Sequence, residues 1–218
     1  GNGAGGGFAD LVLRATTAII FAAVSLGALL SGGSWFTLLI AVLAALMAFE
    51  WRMISLPDDD RAVAGFQILA VVGATVLAYF ADLNMALSFL LATAGAGAAA
   101  DALLGRRAGW GLVGALYVGF GAICLVGLRG SSPEGLLVIV WVALVVIATD
   151  VGAYFSGRLI GGPKLLRRVS PNKTWAGLIG GMFLAALISL VFSLVALGYI
   201  ELFLAVLAAI IAIIAQIG

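Results

Sequence analysis

The residues best suited to chemistry lie within residues 150–181 of a chain that is otherwise largely apolar. Asp150 follows the apolar run 136–149, and the stretch continues through a basic loop into a second apolar run that includes Gly181. A carboxylate at the centre of a membrane helix raises the free energy of insertion by about 2.5–3.5 kcal/mol, so such a residue is expected to have an ion-pair partner or a function. The rest of the sequence is expected to form the frame that holds this stretch.

Helical spacing places four positions of this stretch on one face. Asp150, Tyr154, Gly157 and Arg158 stand at i, i+4, i+7 and i+8. This face would present a carboxylate, a phenol, a position without a side chain and a guanidinium, which together can line a polar cavity. A structural ion pair of Asp150, with Arg158 or with another helix, is the alternative that the residues leave open.

The loop that follows is rich in groups that bind phosphate. Lysine and arginine neutralise phosphate charge, hydroxyls donate hydrogen bonds, and glycine lets backbone N–H groups approach a ligand. Because a helix is predicted to begin near Trp175 and helix N-termini favour anions, the preceding Ser-Pro-Asn-Lys-Thr segment is a candidate phosphate cradle. The alternative is a basic loop that only contacts anionic lipid. The loop residues concerned are Gly161, Gly162, Lys164, Arg167, Arg168, Ser170, Asn172, Lys173 and Thr174.

Composition identifies the frame as a membrane protein. Hydrophobic residues make up 64% of the 218 residues and charged residues only 10%, far from the balance of a soluble domain. The apolar runs are about 20 residues long, enough to cross a hydrocarbon core about 30 Å thick as helices. We therefore predict an all-α, polytopic membrane helical bundle of about eight transmembrane helices. The predicted spans are 11–30, 35–56, 63–81, 85–104, 110–128, 135–155, 176–197 and 201–217.

Charge distribution predicts the orientation of this bundle. Ten of the eleven Lys and Arg residues fall in one alternate set of loops, and only Arg129 falls in the other. The positive-inside rule then places the N-terminus and the loop 156–175 in the cytoplasm. Residues 11–218 are expected to form a single transmembrane helical domain, after a Gly-rich start at residues 1–10 that is disordered or marks a truncation.

Other charged residues have simpler interpretations. Glu50 and Asp101 lie near predicted helix ends and are expected to pair locally, with Arg52 and with the arginines at 106–107 respectively. The acidic run 58–60 is expected to be a solvated turn. No nucleic-acid partner is expected.

Glycine, cysteine and histidine content bears on helix packing, disulfide bonds and catalysis. Gly177 and Gly181 form a G-x-x-x-G pair, for which packing within one bundle is favoured and a homodimer stays open. Cys124 is the single cysteine, which excludes an internal disulfide. Histidine is absent, which removes the commonest general base and a favoured metal ligand.

Residue types, order and spacing resemble those of the bacterial phosphatidate cytidylyltransferases, also called CDP-diglyceride synthases. The matching runs are Asp150-x-x-Ala153-Tyr154-Phe155-x-Gly157-Arg158, Gly161, and Ser170-Pro171-x-Lys173-Thr174-Trp175-x-Gly177. The first hundred residues agree with that family only in being hydrophobic helices.

The resemblance implies transfer of a cytidylyl group from CTP to phosphatidic acid, which gives CDP-diacylglycerol and pyrophosphate at a bacterial plasma (inner) membrane. It also implies Mg²⁺, with a second cation as an option, and a polar cavity that faces the cytoplasm and is surrounded by membrane lipid. The family motifs carry over onto Asp150, Ser170, Lys173 and Thr174. The predicted site has Asp150 and Lys173 as catalytic residues, Asp150 also as a metal ligand, and Tyr154, Arg158, Lys164, Ser170, Asn172 and Thr174 as substrate-binding residues.

Two departures from the family pattern lead to further expectations. Ala176 stands where the family usually has a glutamate, so any role of that glutamate is vacant or filled elsewhere. The family's downstream Lys-Arg, Lys-Asp, His-Gly-Gly and Asp-Arg-x-Asp signature is missing from residues 1–218. The expectation is a truncated chain that by itself lacks the main metal carboxylates and is inactive.

Two other functions stay open at the level of sequence. A transporter for an anionic solute would use Asp150 as a coupling carboxylate, but it predicts an inverted internal repeat that the sequence does not show. A non-catalytic fragment or assembly subunit is compatible with the missing downstream chemistry.

Overall fold

The computed structural model describes residues 4–55, 61–105, 108–131, 134–166 and 170–217. The predicted acidic turn at 58–60 and the arginine pairs at 106–107 and 167–168 lie outside these residues. The described part contains eight α-helices and one two-stranded antiparallel sheet. The elements are α1 (Ala4–Ser31), α2 (Gly33–Ser55), α3 (Arg61–Phe80), α4 (Leu83–Leu103), α5 (Ala108–Ser131), α6 (Gly135–Leu159), β1 (Lys164–Leu166), β2 (Ser170–Thr174), α7 (Trp175–Leu197) and α8 (Leu202–Ile217).

Each predicted span corresponds to one of these helices, so the all-α membrane bundle is confirmed. Six helices are long and apolar enough to cross a membrane, while α3 and α8 contribute the shorter apolar segments Gly65–Phe80 and Leu202–Ile217. The predicted break between the spans 176–197 and 201–217 is a true helix end. Gly198 has a φ of +82° there, a left-handed conformation that glycine adopts readily.

The chain forms two compact units, Gly1–Leu136 and Leu137–Gly218. The first unit contains α1 to α5, with α2, α3, α4 and α5 packed against one another and α1 against α2. The second unit contains nearly all of α6, the β-hairpin, α7 and α8. Helix α1 begins at Ala4, seven residues before the predicted start of that span. The expectation of a single domain over residues 11–218 stays a prediction.

A buried ion pair connects helices of the first unit. Arg52 Nη2 lies 2.7 Å from Asp101 Oδ1, and these side chains are only 2% and 1% exposed. Arg52 Nη1 also donates to Gln67 Oε1 at 3.2 Å. A Cβ on Gly111 would lie 2.8 Å from Asp101 Oδ2, so this glycine makes room for the pair. The sequence predicts local pairs of Glu50 with Arg52 and of Asp101 with the arginines at 106–107. The structure instead pairs Asp101 with Arg52, which lies 49 residues away in the chain.

In the second unit, α6 and α7 cross with their backbones in contact. A Cβ added at Gly152 would lie 2.5 Å from Gly180 O, and one added at Gly181 would lie 2.9 Å from Thr149 O. A Cβ at Gly177 would likewise lie 3.0 Å from the carbonyl oxygen of Ala153. The Gly177/Gly181 pair therefore faces α6, which confirms packing within one bundle as its use.

Breaking the buried ion pair should destabilise the protein. Asp101→Asn removes the charge of a carboxylate that is 1% exposed and lies 2.7 Å from the Arg52 guanidinium, and we expect a loss of about 3–5 kcal/mol. The measurement is the Tm of the detergent-purified protein. Asp10→Asn is the control, since it removes the carboxylate of the exposed Arg14–Asp10 pair and should change the Tm little. Equal Tm values for the two variants would contradict the role given to Asp101.

Adding a methyl group at the helix crossing should also lower stability. The Cβ of Gly180→Ala would overlap the Ser156 side chain, and we expect a cost of about 1–3 kcal/mol, visible as a lower Tm. Gly121→Ala is the matched control, because nothing lies within 4 Å of a Cβ at that position of α5. If the Gly121 variant lost as much stability as the Gly180 variant, the close approach of α6 and α7 would not be the cause.

Candidate functional site

The last three turns of α6 carry the face that the sequence predicts. Asp150, Tyr154 and Arg158 are all exposed on the second unit, in agreement with their common face. Arg158 Nη1 donates to Tyr154 Oη at 2.8 Å, and Arg158 Cζ lies 5.9 Å from the centroid of the Tyr154 ring. The phenol therefore orients the guanidinium along the helix surface.

Asp150 has no such partner. Within the described residues, no ion pair or hydrogen bond reaches its carboxylate, and Arg158 is engaged with Tyr154 instead. The alternative of an Asp150–Arg158 ion pair therefore receives no support from the geometry. An exposed, unpaired carboxylate on a membrane-spanning helix is a candidate for binding a cation.

Gly157, the fourth member of the predicted face, has a packing role. A Cβ on Gly157 would lie 3.1 Å from Thr174 Oγ1 and 3.7 Å from Gly177 Cα. Its missing side chain lets the start of α7 lie against α6.

Thr174 is buried and forms the N-cap of α7. Its backbone is extended, with φ −118° and ψ 157°, and its Oγ1 accepts a hydrogen bond from Gly177 N at 3.1 Å. Threonine suits this position because its hydroxyl satisfies a backbone N–H that the helix itself leaves unpaired. A substrate-binding role for Thr174 stays a prediction, with its oxygen already used in the cap.

A β-hairpin occupies the position of the predicted loop. Strands β1 and β2 are antiparallel, with Lys164 opposite Thr174 and Leu166 opposite Ser170. Gly161 and Gly162 adopt positive φ values of 66° and 97° before β1, in the segment that leads out of α6.

The hairpin is tied to α7 through the main chain. Trp175 N donates to Pro163 O at 3.1 Å, so this N–H and that of Gly177 are both occupied at the start of α7. An anion held at this helix N-terminus would need donors other than these two.

The polar side chains of the hairpin have different surroundings. Lys164 and Asn172 are exposed, whereas Ser170 and Lys173 are half-buried. Lys173 Nζ donates to Gln216 O in the last turn of α8 at 2.7 Å, a favourable place for a cation because helix C-termini carry partial negative charge. Sequence reasoning missed Gln216, since no local signal connects residues 43 positions apart.

The structure thus brings the predicted residues together in two groups within one unit. The first group is Asp150, Tyr154 and Arg158 on α6, and the second is Lys164, Ser170, Asn172, Lys173 and Thr174 on the hairpin. The Gly157–Thr174 approach joins the two elements, although no hydrogen bond between the two groups is present among the described side chains.

Comparison with known proteins gives a family match. The model of the cytidylyltransferase family matches residues 12–218, which is nearly the whole chain. The chain belongs to the cytidylyltransferase family.

Several bacterial relatives of the chain carry the name phosphatidate cytidylyltransferase. The protein from Brucella suis is 37% identical over 174 residues, which cover 79% of the chain and 63% of that relative. The protein from Staphylococcus saprophyticus is 32% identical over 193 residues, which cover 82% of the chain and 70% of the relative. The chain thus spans somewhat less than two thirds of the length of its Brucella relatives. No solved structure matches it.

The residues present offer a limited fit to the magnesium ion that the family resemblance implies. The described residues contain no group of three or more His, Cys, Asp or Glu side chains that could hold a metal. Asp150 offers one exposed carboxylate without a partner. This suffices for one ligand, since Mg²⁺ is commonly held by one or two carboxylates together with waters and substrate phosphates.

The cap at the start of α7 can be tested directly. Thr174→Val keeps the shape of the side chain but removes the oxygen that accepts from Gly177 N, and we expect a stability loss of about 1 kcal/mol with a lower Tm. Thr174→Ser keeps that oxygen and should stay close to the parent protein. The capping role fails if the serine variant is as unstable as the valine variant.

Proposed function

We propose that the intact protein transfers a cytidylyl group from CTP to phosphatidic acid and releases pyrophosphate. The proposal rests on one observation above all: membership of the cytidylyltransferase family, with relatives named phosphatidate cytidylyltransferase that match most of the chain. The product is CDP-diacylglycerol, an activated lipid.

The geometry of the second unit supports this chemistry. Both reactants are polyanions, so they can meet only where cations neutralise their charge. Arg158, Lys164 and Lys173 lie on two elements joined by the Gly157–Thr174 approach. Asp150 supplies a carboxylate that no described side chain neutralises.

In the proposed reaction, a phosphate oxygen of phosphatidic acid attacks the α-phosphorus of CTP in line. The new P–O bond forms as the bond from the α-phosphorus to its bridging oxygen breaks, and pyrophosphate leaves with that oxygen. The attacking phosphate is already ionised, so the step needs no general base. The chain's residues position the reactants and neutralise their charge, which is the main catalytic task in phosphoryl transfer.

Each predicted residue has a role in this proposal. Lys173, Lys164 and Arg158 hold phosphate groups, and Ser170, Asn172 and Thr174 are the candidates for hydrogen bonds to substrate. Tyr154 orients Arg158. Asp150 would hold a Mg²⁺ ion through a carboxylate oxygen, and a bound Mg²⁺ neutralises phosphate charge.

We also propose the location and orientation of the protein. The apolar helices make it a multi-pass membrane protein, and the bacterial relatives favour the plasma (inner) membrane. The positive-inside rule favours a cytoplasmic N-terminus and hairpin, on the side where CTP is available. A homodimer stays open.

Removing the charge of Asp150 should abolish most activity. We expect Asp150→Asn to lower CTP-dependent formation of CDP-diacylglycerol by about 100-fold or more, because a neutral amide would hold Mg²⁺ more weakly and the phosphates would lose that neutralising charge. The assay uses the intact protein, expressed from its whole open reading frame, in detergent micelles that contain phosphatidic acid. Asp150 is a sharper test than Lys173, whose contact with Gln216 O would mix structural and catalytic effects.

Glu50→Gln is the matched control. Glu50 is also an exposed carboxylate on a membrane-spanning helix, but it lies on α2 in the other unit. Its substitution should leave the rate within about twofold, as for most surface changes away from a site. Full activity of Asp150→Asn, with Glu50→Gln also active, would refute the assignment of Asp150.

A further inference from the structure

Arg158 carries a positive charge that no described carboxylate neutralises. Among the described side chains, its one polar contact is the hydrogen bond to Tyr154 Oη, which leaves most of its donors free. A guanidinium has five N–H donors in a planar fork that matches two phosphate oxygens at once. The exposed guanidinium therefore has donors available for an anion.

The surroundings of Arg158 indicate which kind of anion. Phe155, Leu159 and Ile160 flank it with exposed fractions of 57%, 80% and 75%. These apolar side chains occupy the end of a membrane-spanning helix, where acyl chains meet lipid headgroups. Leu159 and Ile160 offer no polar group to a water-soluble nucleotide, whereas a lipid can place its acyl chains beside them.

Tyr154 sets the direction of the guanidinium. Residue 158 lies about 12 Å along the helix axis from residue 150, at 1.5 Å per residue. The Arg158 side chain runs back along the helix to the phenol of Tyr154, about one helical turn nearer to Asp150. A phosphate bound there lies between the end of the helix and Asp150.

We propose that Arg158, oriented by Tyr154, binds the phosphate of the lipid substrate rather than the phosphates of CTP. This inference rests on the proposed function and adds that different residues bind the lipid and the nucleotide. The exposed Lys164 and Asn172 of the hairpin, beyond the apolar end of α6, are left to the water-soluble nucleotide. Tyr154 acts as a positioning residue, because it reaches the lipid phosphate through Arg158.

Steady-state kinetics of the intact protein in mixed micelles test the division of the site. We expect Arg158→Gln to raise the KM for phosphatidic acid about tenfold or more, as loss of a charged hydrogen-bonding group would, and to leave the KM for CTP within about twofold. Tyr154→Phe should raise the KM for phosphatidic acid by a smaller factor, because the guanidinium stays but loses its orientation. Arg14→Gln is the control, an exposed arginine of α1 paired with Asp10, and should change neither constant.

Binding gives a readout that does not require turnover. Native mass spectrometry of the intact protein should show tighter binding of phosphatidic acid than of phosphatidylglycerol, with this preference lost in Arg158→Gln and kept in Arg14→Gln. Soluble glycerol 3-phosphate offers the same phosphate without acyl chains and should compete weakly. Strong competition by glycerol 3-phosphate would overturn the lipid assignment in favour of a site for free phosphates.

The remaining outcomes separate this inference from the proposed function. An equal rise of both KM values in Arg158→Gln, or unchanged values with unchanged lipid binding, overturns the inference while the enzyme activity stands. If the parent protein makes no CDP-diacylglycerol but binds phosphatidic acid through Arg158, the proposed function fails and the lipid-phosphate site is upheld.

Discussion

The close crossing of α6 and α7 is the contact on which the candidate site depends. Helices with ordinary side chains at their contact pack 8–10 Å apart, whereas the glycines at 152, 157, 177, 180 and 181 bring these two backbones together. Gly157 then lies against Thr174, which caps α7 and ends β2. The hairpin is therefore held next to the last turns of α6 through backbone and capping contacts, in which the exposed side chain of Lys164 takes no part.

Asp101 and Asp150 both place a carboxylate in a largely apolar chain, but their surroundings differ. Asp101 is 1% exposed and paired with Arg52 at 2.7 Å, so its charge is neutralised inside the first unit. Asp150 is exposed, lies within a membrane-spanning helix and has no partner among the described residues. Asp101 has a structural role, since removal of one partner of a buried ion pair leaves an uncompensated charge. No contact among the described residues gives Asp150 a structural role, so its carboxylate is a candidate for binding a ligand.

The helices were predictable from sequence because membrane spans are set by length and apolarity, and both can be counted without tertiary contacts. Helical spacing predicts the common face of Asp150, Tyr154 and Arg158. The hydrogen bond from Arg158 to Tyr154 depends on side-chain direction, which the sequence does not show. The sequence predicts a loop in place of the hairpin, because the two strands have only three and five residues, too few for an alternating pattern to stand out. The pairing of Arg52 with Asp101 joins residues 49 positions apart, so no local pattern could indicate it.

The charges on the exposed face of α6 explain why this surface suits a reaction between two polyanions. Arg158 and Asp150 have opposite signs and share one helix face, yet the arginine is bound to a phenol and the carboxylate is left alone. Had they paired, each would have neutralised the other and the face would attract neither phosphate nor metal. Kept apart, the guanidinium is available to a phosphate and the carboxylate to a cation, as the proposed function requires. Because the phenol fixes the guanidinium before any substrate arrives, less reorganisation is needed when charge develops in the reaction, which is the main way that a polar site lowers a barrier.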